Sequence, residues 1–145
     1  MKEILLAIME RLRAEVPGLA YIAEDWGQMD YYHEAPPVKF PCALISVGGV
    51  DFESQTSDTR WGKMRILIRV ADAPSVGGTM AAPKSYRERA FAILDLMDNI
   101  GNALYGYGED GFNELEQASI TRYEREDAIR EYAMTFETEY GVESE

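Results

Sequence analysis

An α+β fold is predicted: a mixed or antiparallel sheet of about four to five strands with two helices packed on it, in the order α-β-β-β-α-β-β. Three observations carry this expectation. Apolar residues recur at helical spacing in two stretches, one near the N-terminus and one between Ala90 and Leu104. Apolar and polar residues alternate over residues 59–70 and again over 129–140, the period of strands with one buried face. Proline and glycine fall between these stretches, where connections are needed.

The first helix covers residues 2–15. Ile4, Leu5, Ile8, Leu12 and Val16 make one apolar face, and Pro17-Gly18 ends it because proline cannot continue the backbone ladder. Residues 19–23 form a short strand. Over residues 24–39 the pattern breaks: Gly27, Pro36 and Pro37 stand among Trp26, Tyr31, Tyr32 and His33. This reads as a long loop or extended arm, a length uncommon in compact domains unless functional or ordered by a partner.

Residues 42–47 are a nearly continuous apolar run, bounded by Pro41 and Gly48-Gly49, as in a strand covered on both faces or one lying centrally in the sheet. Residues 53–58 read as a hairpin tip. In the strand that follows, Met64, Ile66, Ile68 and Val70 alternate with Arg65, Leu67 and Arg69. Residues 72–83, rich in Pro and Gly, form a crossover. A second helix of about twenty residues then opens with a capping box, Ser85 and Glu88, and closes at Gly106 as its left-handed C′ residue. Two last strands are expected at residues 116–124 and 129–140, joined by the charged residues 124–128. In the second, Tyr132, Met134, Phe136, Thr138 and Tyr140 share a face. Residues 141–145 read as a frayed acidic tail.

At 145 residues the chain suits one domain spanning 1–145. Fourteen basic against 26 acidic residues give a net charge of −12, which disfavours direct nucleic-acid binding because phosphate contacts need clustered Lys and Arg. The single cysteine, Cys42, excludes an internal disulfide framework and a cysteine zinc cluster. No signal peptide or membrane span is legible, and a soluble protein is expected.

Few residues point to chemistry. Gly106-Tyr107-Gly108-Glu109-Asp110-Gly111 spells G-x-G-x-x-G, but it follows a helix and precedes a strand, the reverse of the dinucleotide context. His33 is the only histidine, with no G-x-S-x-G elbow and no second histidine for zinc. It reads as an exposed or interface residue. Asp95 with Asp98, and Glu124 with Glu126 and Asp127, offer at most incidental cation binding. Cys42, inside an apolar run, reads as a buried inert thiol. No catalytic residue, cofactor or metal is expected, and the chain is read as non-enzymatic.

The aromatic set Trp26, Tyr31 and Tyr32, with Phe40 and Trp61, has two readings: an interface, or a satellite core over one end of the sheet. Arg60, Lys63, Arg65 and Arg69 concentrate positive charge on one strand. They pair either with an acidic neighbouring subunit or with the protein's own carboxylates. Trp26, Tyr31, Tyr32, His33, Phe40, Trp61, Arg65 and Arg69 are therefore the candidate interface residues.

The element order resembles the tail terminator, or tail completion, proteins of long-tailed bacteriophages and prophages. The likeness is one of pattern. It is carried by the N-terminal helix, Tyr21-Ile22 with Trp26-Gly27-Gln28, and the strands Phe40-Pro41-Cys42-Ala43-Leu44-Ile45 and Met64-Arg65-Ile66-Leu67-Ile68-Arg69-Val70. The helix Ile93-Leu94-Asp95-Leu96-Met97-Asp98, its end Ala103-Leu104-Tyr105-Gly106, and the closing Met134-Thr135-Phe136-Glu137-Thr138-Glu139-Tyr140 complete it. The resemblance implies a structural protein that forms a ring, usually a hexamer, on the head-proximal end of the tail tube. Its partners would be itself, the tail tube protein and a head–tail connector or neck protein, with DNA only passing through the lumen and no membrane. Such a protein would reside at the tail–head junction of the virion, and in the host cytoplasm during assembly. Alternatives are a head-completion or neck protein of the same particle, a small acidic binding or regulatory module forming a dimer, and, third, an acidic hydrolase.

Overall fold

The computed structural model describes residues 1–74, 78–109 and 112–143. Three helices and five strands follow in the order α1 (Lys2–Glu15), β1 (Tyr21–Glu24), β2 (Cys42–Gln55), β3 (Thr59–Asp72), α2 (Lys84–Ala90), α3 (Ala92–Leu104), β4 (Glu116–Tyr123) and β5 (Arg130–Glu143). The strands form one mixed sheet in the order β1-β2-β3-β5-β4, with β1 parallel to β2 and every other pair antiparallel. The α+β expectation holds.

Two details differ from the sequence reading of the second helix. It is two helices, α2 and α3, parted at Phe91, although neither proline nor glycine marks the place. Phe91 instead turns against the crossover, where a Cβ on Gly78 would come within 2.6 Å of the Phe91 ring. The capping box does not form either. Pro83 stands at the N-cap and Ser85 lies inside the first turn, so its hydroxyl cannot serve the end of the helix. At the other end Gly106 does take the left-handed conformation, with φ +76°. Arg11 of α1 donates to the Ala103 carbonyl at 2.9 Å, satisfying one of the acceptors that a helix C-terminus leaves open.

The strands run longer than the alternation suggested. β2 continues through Gly48-Gly49 to Gln55, because register shifts at Val47/Gly49 and Phe52/Ser54 absorb the irregular residues without breaking the pairing with β3. β5 reaches Glu143, so Gly141, Val142 and Glu143 pair with Trp61, Arg60 and Thr59 and are no frayed tail. Residues 144–145, residues 75–77 of the crossover, and Asp110 and Gly111 of the glycine-rich string lie outside the described residues.

One face of the sheet carries the main core. Ile4, Ile8 and Leu12 of α1 and Ile93, Met97 and Ile100 of α3 pack against Ile45, Met64, Ile66, Ile68, Met134 and Phe136. On the opposite face a smaller cluster of Met29, Cys42, Leu44 and Ala71 sits under residues 25–40, so the first half of β2 is covered on both sides. Every residue of β4 is exposed. No helix of the described residues is long and apolar enough to cross a membrane.

Gly62 lies where β2 bulges toward β3. A Cβ there would fall 1.9 Å from the Asp51 carbonyl oxygen and 2.6 Å from the Phe52 Cα, both backbone atoms that cannot swing aside. Gly62→Ala is expected to destabilise the domain by about 1–3 kcal/mol, the usual cost of overpacking. Urea unfolding followed by circular dichroism measures it; wild-type stability would mean that the strands can part at this point.

Candidate functional site

Residues 25–40 leave the β1 edge and fold back over the open face of the sheet. The turn that starts them is built locally. Gln28, fully buried, accepts from the Trp26 amide at 2.9 Å and donates to the Glu24 carbonyl at 3.0 Å. Gly27 supplies a φ of +98°. Met29 then enters the small cluster beside Cys42 and Leu44, and burial there pushes the Cys42 thiol up to about 11, which leaves little thiolate at neutral pH.

Two arginines hold this arm down. Arg69 of β3 donates from Nε and Nη2 to both oxygens of Glu131, each at 2.9 Å. Its outer side grips Asp30 of the arm at 2.9 and 3.0 Å. Arg125, in the β4–β5 connection, donates to Glu131 at 2.8 Å, to both oxygens of Asp127 at 2.8 Å each, and to the Met29 carbonyl at 2.6 Å. Tyr32 donates its hydroxyl to Asp127, and Asp25 lies 3.4 Å from Arg69. Glu131, only 3% exposed, is shared by both arginines and stands at the centre of the cluster.

The electrostatics follow the geometry. The Arg125 hydrogen bond first, and the Tyr32 bond with it, hold the Asp127 carboxyl well below the usual range despite partial burial. The Arg69 bonds lower Asp30 in the same direction. Burial opposes the charge on Arg69, but the bonds to Glu131 and Asp30 outweigh it and raise its pKa further. Tyr32 is raised, mainly by its bond to the ionised Asp127.

The residues singled out in the sequence are not brought together. Trp26 and Tyr31 stand exposed on the arm, at 63% and 81%, and His33 is exposed near them in sequence. Phe40 and Val38 pack into the small cluster, and Tyr32 is tied to Asp127. The arm thus serves as a satellite core through Met29, Val38 and Phe40 while leaving its two largest aromatics outside. Trp61 lies eight residues along β3 from Arg69, roughly 26 Å away at 3.3 Å per residue, on the β2–β3 hairpin. There Trp61 and Phe52 are both exposed and the Arg60 guanidinium lies 5.6 Å from the Phe52 ring centre.

Two of the strand's cations find the protein's own carboxylates: Arg65 bonds the exposed Asp51, and Arg69 takes Asp25, Asp30 and Glu131, while Arg60 and Lys63 have no ion-pair partner among the described residues. Glu131, Asp30, Asp25 and Arg125 escaped the sequence reading. Arg125 meets Asp127 and Glu131 within one hairpin, but the bonds that tie Arg69 to Glu131, Asp30 and Asp25, and Arg125 to Met29, join residues far apart in the chain. Glu131 alternates with Ala133 and Thr135 on the face of the last strand that reads as outward, so its burial is not signalled either. Among the described residues no group of His, Cys, Asp and Glu is arranged to hold a metal ion. A recess of about 420 Å³ beside the cluster is floored by Ser46, Leu67, Ala133 and Thr135, but the arginines on its wall are already bonded internally.

Removing the shared anion leaves two arginines with reduced compensation, and breaking such a pair in a largely buried setting costs several kcal/mol. Glu131→Gln is expected to lower stability by about 2–4 kcal/mol, discounted for the partial exposure of Arg69. It should also loosen the arm, so that a thiol reagent reaches Cys42 at least tenfold faster under native conditions. Unchanged labelling would mean that the arm is held by its apolar contacts alone. The pH dependence has a definite sign. Asp30 and Asp127 have folded pKa values depressed below 3.8, so their contribution is fully present above about pH 4 and drains away as pH falls through the lower folded values. Melting temperature measured from pH 7 to pH 2 should fall steeply below about pH 4, and less steeply in Asp127→Asn.

No family model and no curated protein matches this chain. Among solved structures, a chain from the virion of a native gene transfer agent particle is similar in fold, with a TM-score of 0.55 and 16% sequence identity. The match covers 96% of this chain and 95% of that one.

Proposed function

We propose that this chain is a non-enzymatic structural protein of a phage-like particle, one that caps the tail tube as a ring and joins it to the head. The observation that carries the reading is the end-to-end likeness to a chain of a gene transfer agent virion, which spans nearly the whole of both chains. The element order that resembles the tail terminators supports the finer role. The net charge of −12 suits a ring through whose lumen DNA must pass without sticking. The projecting β2–β3 hairpin, with exposed Phe52 and Trp61, and the arm, with exposed Trp26 and Tyr31, are the surfaces offered to neighbouring subunits, the tail tube protein and the neck. In this reading the ion-paired cluster acts as a fastener that presents the arm in one conformation.

Deletion of the gene from the particle-producing strain tests the role, with particles viewed by electron microscopy and their proteins identified by mass spectrometry. A terminator is expected in purified particles, and its loss should give tails of uncontrolled length that fail to join filled heads. Tails of normal length beside incomplete heads would assign the chain to head completion instead. Absence from particles, with a persistent dimer in solution, would leave the small binding module.

A further inference from the structure

The sheet ends in two strands whose outer edges have no neighbour among the described residues, β1 and β4. Edge strands in native proteins are usually guarded by lysine, proline, shortness or a bulge. β4 has a bulge only near its start, at Gln117/Ser119, and its regular half, Ser119–Tyr123, holds no proline and no lysine. Its partly exposed Ile120 and Tyr123, at 48% and 52%, lie along that half.

The strand directions fix what can sit there. β1 runs with β2, β3 against it, β5 with it and β4 against it, so the two edges of one sheet are antiparallel to each other. A second copy placed beside the first with its helices on the same side therefore brings β1 antiparallel to β4. The faces match as well. Ile120 and Arg122 are in register with Met134 and Tyr132 on the helix side of β5, and Ile22 packs into the same core layer while Tyr21 and Ala23 face the arm side. Glu24 alternates onto the side of Ile22. Arg122 and Glu24 are both exposed, of opposite sign, and without an ion-pair partner among the described residues.

We propose that β4 pairs antiparallel with β1 of a second copy of this chain, extending the sheet from subunit to subunit. Using the whole of β1, the register sets Thr121 opposite Ala23, Arg122 opposite Ile22 and Tyr123 opposite Tyr21, with Arg122 diagonal to Glu24. The contact is heterologous, head to tail, and such contacts close into rings when the rotation allows. This inference rests on the reading of the chain as a multi-copy structural protein and names the surface by which copies join.

Cysteine cross-linking of the full chain tests it. A Thr121→Cys, Ala23→Cys double variant, mildly oxidised at high protein concentration, is expected to give a ladder of covalent multimers. Within one chain the two positions are four strand spacings apart, about 19 Å, too far for an internal disulfide. Dimers from Thr121→Cys alone would overturn the proposal in favour of a two-fold β4–β4 contact, and no cross-linking from the double variant would overturn it outright. A charge swap gives an independent reading: Arg122→Glu and Glu24→Lys should each weaken association about fivefold, and the two together should restore it. Failure of that restoration also counts against the pairing. A chain found in particles but not cross-linked at this edge keeps the structural role and loses the interface; a cross-linked chain absent from particles does the reverse.

Discussion

The alternation of β3 is the constraint on which the rest of the molecule depends. β3 has a strand on each side for its whole length, β2 and β5. On one face Met64, Ile66, Ile68 and Val70 are fully buried beneath α1 and α3. On the other face stand Lys63, Arg65, Leu67 and Arg69. A slip of one residue would turn four apolar side chains to solvent and drive three cations into the core, so the register is strongly specified. Both helices, the position of the β2 bulges and the reach of β5 follow from that register.

The same alternation determines where the arm goes. It places Arg69 on the open face opposite the start of β2, next to Glu131 of β5, and so sets a half-buried cation against a buried anion. Arg125 adds a second cation, and the two arginines face four carboxylates, those of Asp25, Asp30, Asp127 and Glu131. The apolar part of the fastening is small, Met29 with Val38 and Phe40, which makes the arm more dependent on charge than the main core is.

The rest of the surface is organised by what the helices leave uncovered. α1 and α3 cover the middle of one face, and the arm covers one end of the other. The β2–β3 hairpin, the β4 edge and the tips of the arm remain outside. Exposed aromatic residues stand on two of these regions, and the third is a sheet edge without a neighbour among the described residues.

By itself the sequence determined the element types, the order of the strands, the core face of β3 and β5, and the apolar run that opens β2, because these depend on periodicity and near neighbours. Gly106 at the end of α3 was legible for the same reason. Tertiary structure alone decided the break at Phe91, the extension of β5 to Glu143, and the meeting of Arg69 with Glu131 and Arg125. It also separated Trp61 from the arm aromatics by most of the length of a strand. In each case the deciding contact joins parts of the chain far apart in sequence, and such contacts leave no local spacing to read. That Glu131 is buried at all follows only once two arginines, one from β3 and one from the connection after β4, have been brought to it.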